Sequence, residues 1–97
     1  MALIKKTRQA EEDLYQIWYF IAIENQSPVN AERFILQLDH TIQLIANNPG
    51  IGVSKDEYAR GVYQFSFQDY LLFYTIIDGG INLVRVLHGA RDIQGQF

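Results

Sequence analysis

Apolar residues recur with a helical period in the first half of the chain. From about Arg8 to Glu24 they form one stripe of an α-helix, made up of Ala10, Leu14, Ile17, Trp18, Ile21 and Ala22. Thr7 precedes this stripe and belongs to the residue types that cap helix N-termini. A second stripe follows Ser27-Pro28 and ends before Asn47-Asn48-Pro49-Gly50; it contains Ala31, Phe34, Ile35, Leu38, Ile42 and Ile45. Because roughly three residues join the two helices, we expect an antiparallel hairpin.

The period changes after Gly52. Residues 62–67 alternate, residues 70–77 (YLLFYTII) are apolar almost throughout, and residues 81–87 form a further apolar segment. Asp78-Gly79 predicts a two-residue turn between the last two strands. The segment Leu3–Lys6 is expected to be a short edge strand whose lysines discourage edge-to-edge pairing. The pattern therefore predicts one α+β domain over residues 1–97, with the helical hairpin packed on one face of a mainly antiparallel sheet formed by a three-stranded C-terminal meander.

Two helices can cover only one face of this sheet, yet the strands are apolar on both faces. Strict alternation in the last strand places Ile81, Leu83 and Leu87 on one face and Val84 and Val86 on the other. A solvated face of an antiparallel sheet alternates towards polar residues, so we expect a partner protein to cover the second face. The alternatives are that the loop of residues 51–60 and the C-terminal tail cover it, or that the chain forms a homodimer.

Composition and charge narrow the possible functions. The 97 residues are 48% apolar, which suffices for one modest core, and eight Lys plus Arg against eleven Asp plus Glu give a net charge of −3. Binding to many phosphates needs the opposite balance, so a protein partner is favoured and sequence-specific nucleic-acid binding is not expected. With no cysteine and two histidines, neither a metal site nor another cofactor is expected. The lack of a long apolar run or a signal peptide predicts a cytoplasmic protein without membrane contact.

Polar residues gather at the end of the last predicted strand. Arg85, His88, Arg91 and Asp92 follow one another there, and Arg60 in the preceding loop is a possible neighbour. A metal-free ribonuclease can use such groups, because histidine moves a proton and arginines stabilise the phosphate. The same residues also fit structural ion pairs, in which Arg91 pairs with Asp92 and Arg85 holds a carboxylate.

The remaining charged groups are expected to be solvated. Glu11-Glu12-Asp13 lies near the start of the first helix, where carboxylates interact favourably with the helix dipole. Neighbouring residues of a helix point in different directions, so we expect these carboxylates to form a solvated helix face and not a catalytic pair. His40 lies off the apolar stripe of the second helix and is expected at the surface.

Three segments carry a family resemblance: AEEDLYQIWYFIA, AERFILQLDHTIQLIANNPGIG and YLLFYTIIDGGINLVRVLHGARDI. From about Ala10 to Ile93 the chain resembles the ParE-type toxins of bacterial type II toxin-antitoxin systems, within the RelE/ParE superfamily, and VRVLHGARD is the most specific stretch. The resemblance implies a RelE-like α+β fold. It also implies a toxin that a cognate, ParD-like antitoxin inactivates by wrapping around it in a hetero-oligomer. The implied target is DNA gyrase, which such toxins poison without hydrolysing anything, so no catalytic residue is expected.

The resemblance also places the expected contacts. The target is expected at Arg60, Arg85, His88, Arg91 and Asp92, and the antitoxin on the apolar sheet face at Val84, Val86, Tyr63 and Phe65. RelE-type relatives instead cleave mRNA on the ribosome, and in that alternative His88 is the general acid or base and Arg91 stabilises the phosphate. A third alternative is an inactive homologue that only binds the antitoxin. It arises because Tyr63 and Thr75 stand where ParE-type sequences usually carry arginine.

Overall fold

Two helices pack on one face of a five-stranded sheet in the computed structural model, which describes residues 2–97. Met1, part of the domain predicted over residues 1–97, lies outside the described residues. The first half of the chain contains β1 (Leu3–Lys6), α1 (Arg8–Tyr19), a π-helical turn (Phe20–Glu24) and α2 (Pro28–Asn47). The second half contains a 3-10 turn (Pro49–Ile51), β2 (Val53–Ser54), β3 (Val62–Phe67), β4 (Tyr70–Ile77), β5 (Gly80–His88) and a final 3-10 turn (Gln94–Gln96).

The sheet has the order β1-β5-β4-β3-β2, with β1 parallel to β5 and the other neighbours antiparallel. The predicted three-stranded meander forms its centre, and β1 and β2 add an edge strand on each side. Asp78-Gly79 joins β4 to β5 as predicted, and Gly79 has a positive φ of 83°, which glycine adopts without steric cost. At Gly80 a Cβ atom would overlap the Leu3 carbonyl, so glycine permits the close approach of β1.

The helix boundaries largely follow the sequence signals. Thr7 caps α1 as predicted: its side chain accepts a hydrogen bond from the Ala10 N–H at 3.0 Å. The second helix begins at Pro28 as expected, although the Ser27 hydroxyl makes no capping hydrogen bond. The prediction that Trp18 belongs to the core stripe is wrong, since its side chain is 38% exposed. Trp18 lies one position, or about 100°, around the helix from the buried Ile17.

Neither helix, nor any shorter helical turn of residues 2–97, has the length and hydrophobicity needed to cross a lipid bilayer.

The main core lies between the helices and the sheet. Its buried members include Ala10, Ile17, Leu38, Ile42 and Ile45 from the helices and Leu72, Tyr74, Ile81, Leu83 and Val86 from the strands. The Tyr74 hydroxyl donates to the Pro49 carbonyl at 2.7 Å and accepts from the Gly52 N–H at 3.0 Å, which fixes the connection after α2. Tyr63 and Phe65 also pack against this core. They therefore lie on the helix side of the sheet, and not on the opposite face predicted for the antitoxin.

The second face of the sheet is covered by the chain itself. Buried Val62, Phe73 and Leu87 form a second cluster there, and Tyr58 from the loop and Ile93 from the tail pack against it. The ring of Phe97 stacks on Tyr58 with 5.8 Å between centroids and meets Phe73 edge-on at 5.0 Å. The prediction of an open apolar sheet face is therefore wrong. The alternative is confirmed, in which the loop of residues 51–60 and the C-terminal tail cover this face.

A bulge in β5 explains why alternation misplaced Val86. Val84 has no partner on β4, because its neighbours Leu83 and Arg85 pair with adjacent residues of that strand. The extra residue shifts the alternation by one position. Leu83 and Val86 consequently both face the main core, while Val84 packs against the second cluster. Val86 is 2% exposed, so its side chain lies in the main core and not on the exposed sheet face where the antitoxin contact was predicted.

A single carboxylate ties α1 to this bulge. Asp13 accepts hydrogen bonds from Nε of Arg85 at 2.8 Å, from Nη2 of Arg85 at 3.1 Å and from the Val86 N–H at 3.0 Å. The hydrogen bonds to Asp13 raise the pKa of the Arg85 guanidinium. The prediction that Asp13 is solvated is wrong, because its side chain is 13% exposed, whereas Glu11 and Glu12 are exposed as expected. We call this arrangement of Asp13, Arg85 and the Val86 N–H the Asp13 clamp.

The clamp predicts a large loss of stability in the variant Asp13→Ala. The Arg85 guanidinium is then left mostly buried without its counter-ion, and we expect the free energy of unfolding to fall by roughly 3 kcal/mol. Urea unfolding followed by circular dichroism measures the change. Glu12→Ala is the matched control, because Glu12 is exposed, and its effect should stay within about 0.5 kcal/mol. Equal losses in both variants would contradict a specific role for the clamp.

The covered sheet face predicts a measurable contribution from the tail. In Phe97→Ala the aromatic contacts with Tyr58 and Phe73 disappear, and we expect a loss of about 1 kcal/mol together with increased binding of a hydrophobic dye. Tyr15→Ala, which removes a more exposed aromatic ring from α1, is the control and should leave dye binding unchanged or lower. Unaltered stability and dye binding in Phe97→Ala would show that the tail does not seal this face.

Candidate functional site at the end of the last strand

A groove runs along α1 beside the C-terminal end of β5. Its larger part has a volume of about 520 Å³ and is lined by Arg8, Glu11, Glu12, Asp13, Tyr15, Gln16, Arg85 and Arg91. A smaller part of about 190 Å³ is lined by Asp13, Gln16, Ile17, Phe20, Tyr70, Val86, His88 and Arg91. Asp13, Gln16 and Arg91 line both parts, so we treat the two parts as one surface, which we call the α1 groove. The Asp13 clamp sets the geometry of this surface because it fixes α1 against β5.

The predicted target contacts are only partly brought together here. His88 and Arg91 line the smaller part of the groove and are exposed. Arg85 lines the larger part, but its Nε and Nη2 donors are bound to Asp13, so its main role is to position α1.

The other two predicted contacts lie outside the groove lining. The Asp92 carboxylate accepts a hydrogen bond from the Gly95 N–H at 3.3 Å, within the tail. Arg60 is exposed in the turn before β3, and the register of the strands separates it from His88. Val62 at the start of β3 pairs with Thr75, whereas His88 lies beside Tyr70 at the other end of β4.

His88 is held by two local contacts. Its Nδ1 accepts a hydrogen bond from the Ala90 N–H at 3.1 Å, so the neutral imidazole carries its proton on Nε2. Its ring meets the Tyr70 ring edge-on with 5.2 Å between centroids. Burial, assisted by the charge of Asp69, raises the pKa of the Tyr70 hydroxyl, which therefore stays protonated at neutral pH.

The groove combines hydrogen-bond donors with an apolar wall. Tyr70, His88 and Arg91 supply the donors, while Ile17 and Phe20 supply apolar surface. This combination suits a partner side chain with an apolar body and an acceptor group. Within residues 2–97 no group of three or more histidine or acidic side chains is placed to hold a metal ion.

An aromatic patch beside the groove is the main surface feature that sequence reasoning missed. It comprises Tyr15, Trp18, Tyr19, Phe20 and Ile23, which are 58%, 38%, 39%, 49% and 49% exposed. The Tyr15 ring lies 6.1 Å from Trp18 and 6.2 Å from Tyr19. A signal was present in the sequence: Tyr15, Tyr19 and Ile23 follow at intervals of four, off the buried stripe, which places apolar side chains on a solvent-facing side of the helix.

Comparison with known proteins gives consistent matches. Residues 4–93 match the family described as ParE toxin of type II toxin-antitoxin system, parDE. The chain is 34% identical over 85 residues to Toxin ParE1 of Mycobacterium tuberculosis, covering 87% of this chain and 86% of that protein. It is 24% identical over 91 residues to Toxin ParE1 of Caulobacter vibrioides, covering 94% and 93%.

A solved structure shows the same fold. A chain of the chromosomal ParDE TA system from P. aeruginosa superposes with a TM-score of 0.71 at 20% identity, covering 91% of this chain and 96% of that chain. The family match extends from β1 to Ile93, so it includes the Asp13 clamp and every residue that lines the α1 groove. The resemblance seen in the three sequence segments is thereby confirmed. The chain belongs to the ParE toxin family of type II toxin-antitoxin systems.

Proposed function

We propose that this toxin inhibits DNA gyrase in the cytoplasm, so that replication stops, and that direct binding of a cognate ParD-like antitoxin neutralises it. The observation that carries the proposal is the family match over residues 4–93. The net charge of −3 supports a protein target, because docking on ribosomal RNA requires many cationic contacts with phosphates. Inhibition by binding requires neither a catalytic residue nor a cofactor.

The proposed target contact is the smaller part of the α1 groove. His88 and Arg91 are the groups that we expect to touch gyrase, because both are exposed and line this part. Arg60 and Asp92 are exposed as well and are proposed as peripheral contacts. Arg85 acts through Asp13 by positioning α1.

The proposed antitoxin contact is the aromatic patch. The sheet face first expected to bind the antitoxin is closed by the loop and tail, whereas the patch leaves five large apolar side chains in solvent. Contiguous exposed apolar surface on a small protein marks an interaction site, and tryptophan and tyrosine are enriched among residues that dominate binding energy.

RNA cleavage is the second candidate, and one observation favours it. His88, Arg91 and the hydroxyl of Tyr70 line the same part of the groove, so an imidazole that can transfer a proton lies with two donors that can stabilise a phosphate. In this candidate the same groove takes an mRNA backbone.

Expression without antitoxin separates the two candidates. We expect growth to stop, DNA supercoiling to be lost and cleaved gyrase–DNA complexes to accumulate, while primer extension shows no new mRNA 5′ ends. New 5′ ends with normal DNA topology would overturn gyrase inhibition in favour of RNA cleavage. Normal growth, topology and mRNA would indicate an inactive homologue.

The groove assignment is tested with purified toxin in a gyrase supercoiling assay. Arg91→Ala removes an exposed cation from the groove, and we expect at least tenfold more of this variant to be needed for half-inhibition. Arg33→Ala removes an exposed cation from α2 and is the matched control, with inhibition unchanged. Equal inhibition by both variants would place the gyrase contact elsewhere.

The aromatic patch predicts a loss of antitoxin affinity in Trp18→Ala. We expect the Kd for the cognate antitoxin, measured by isothermal titration calorimetry, to rise at least tenfold, because truncating a large aromatic side chain in an interface removes much of the binding energy. Leu36→Ala, at a 57% exposed apolar residue of α2, is the control and should bind as the parent does. A larger rise in Kd for Leu36→Ala than for Trp18→Ala would place the antitoxin interface on the outer face of α2.

A further inference from the structure

The smaller part of the α1 groove carries hydrogen-bond donors that the protein itself does not use. The Tyr70 hydroxyl, the Gln16 amide and the Arg91 guanidinium line it, and within residues 2–97 none of these groups makes a hydrogen bond or an ion pair. The neutral His88 ring adds its Nε2–H, because its Nδ1 accepts from the Ala90 N–H. Four available donor groups therefore line one cavity of about 190 Å³.

The carboxylate in the same lining is already satisfied. Asp13 accepts hydrogen bonds from Nε and Nη2 of Arg85 and from the Val86 N–H. The charges of Asp13 and Arg85 cancel, so the Arg91 guanidinium is the uncompensated charge of the lining. The cavity thus offers a ligand donors and one positive charge, and it requires acceptors and one negative charge in return.

A carboxylate matches this lining in charge and in hydrogen bonding. An ionised carboxylate only accepts hydrogen bonds, and its two oxygens offer about four lone-pair sites. The planar guanidinium of Arg91 can bind such a group through two parallel N–H donors. Ile17 and Phe20 form an apolar wall beside the donors, which suits methylene groups or an apolar neighbour of the acid. The cavity is smaller than the roughly 300–1,000 Å³ of pockets for drug-sized ligands and suits one side chain.

The larger part of the groove favours a single carboxylate over a nucleic-acid backbone. Glu11 and Glu12 line that part, and both are exposed. Arg91 lines both parts, so an RNA phosphate bound beside Arg91 would bring the next phosphates of the strand towards these two carboxylates. Like charges brought together in an interface oppose binding. An isolated acidic residue of a protein does not bring further negative charges with it.

We propose that the smaller part of the α1 groove is a carboxylate-binding subsite, which receives an aspartate or glutamate side chain of gyrase that has an apolar residue beside it. Gln16, Tyr70, His88 and Arg91 hold the carboxylate, and Phe20 contacts the apolar neighbour. The chemistry of the subsite rests on its lining alone, whereas the assignment of the acid to gyrase rests on the proposed function.

Titration of the full-length toxin with phenylacetate, followed by NMR, tests the subsite without gyrase. Phenylacetate combines one carboxylate with one apolar ring, and a fragment of this size should produce saturable shifts of the His88 and Arg91 amides with a Kd in roughly the millimolar range. The matched control is 2-phenylethanol, which has the same ring without a charge and should bind at least tenfold more weakly. Equal binding of the two compounds, or no saturable shift with either, would overturn the subsite.

A phosphodiester with the same ring provides the comparison with nucleic acid. Methyl phenyl phosphate carries one negative charge on a tetrahedral group, whereas the carboxylate of phenylacetate is planar. We expect methyl phenyl phosphate to bind more weakly than phenylacetate in the same titration. Tighter binding would overturn the proposal in favour of a site for a nucleic-acid backbone.

The substitution Tyr70→Phe tests the subsite through one donor. It removes the hydroxyl but keeps the ring that contacts Phe34 and His88. We expect the Kd for phenylacetate, and the amount of toxin needed for half-inhibition of gyrase, to rise at least threefold, because a hydrogen bond to a charged group is lost. Tyr63→Phe, at a half-buried tyrosine of β3 outside the groove, is the control and should change neither value. Equal values for the two variants would overturn the contact with Tyr70.

The two measurements separate the subsite from the proposed function. Weaker binding of phenylacetate to Tyr70→Phe with unchanged gyrase inhibition would overturn the assignment to gyrase but support the subsite. Saturable binding of phenylacetate to a parent toxin that does not inhibit gyrase would overturn the proposed function alone. The Kd of Tyr70→Phe for the antitoxin should stay within about twofold of the parent value, and a rise as large as that for phenylacetate would assign the acid to the antitoxin instead.

Discussion

The position of α1 depends on the hydrogen bonds that its side chains make to backbone groups of β5 that no neighbouring strand pairs with. β1 pairs with β5 only as far as Leu83, and beyond that point no strand formed by residues 2–97 lies on this side. Side chains of the α1 region take over: the Thr7 hydroxyl donates to the Val84 carbonyl at 2.7 Å, and the Asp13 carboxylate accepts from the Val86 N–H. A largely buried carboxylate needs a counter-ion, which Arg85 supplies. The same three contacts thus complete the sheet and place the wall of the α1 groove.

Most of the fold could be predicted because its signals are local. Thr7 and Pro28 mark the helix starts, and Asp78-Gly79 marks the last hairpin, and each acts within a few residues of its position in the chain. The bulge at Val84 has no such local signal, because it arises from the fit of β5 against β4 and α1. Because strict alternation ignores this one unmatched residue, it predicts Val86 on the wrong face of the sheet.

The sequence predicted several residues of the candidate site, but it did not predict how they are arranged. The sequence located His88 and Arg91 at the end of the last strand, but the pairing of Arg85 with Asp13 joins residues far apart in the chain. The contact between Tyr58 and Phe97 is equally remote in sequence, and it decides which sheet face is covered. Long-range contacts of this kind depend on packing in three dimensions, which hydrophobic periodicity does not encode.

The closed second face of the sheet bears on how the chain folds. Phe73 and Leu87 are shielded by residues of the same chain, so this part of the hydrophobic core is complete within one molecule. The chain therefore presents no bare apolar sheet face here that would promote aggregation. Folding of this side of the sheet needs no second protein, because the last residue of the chain, Phe97, supplies part of the cover.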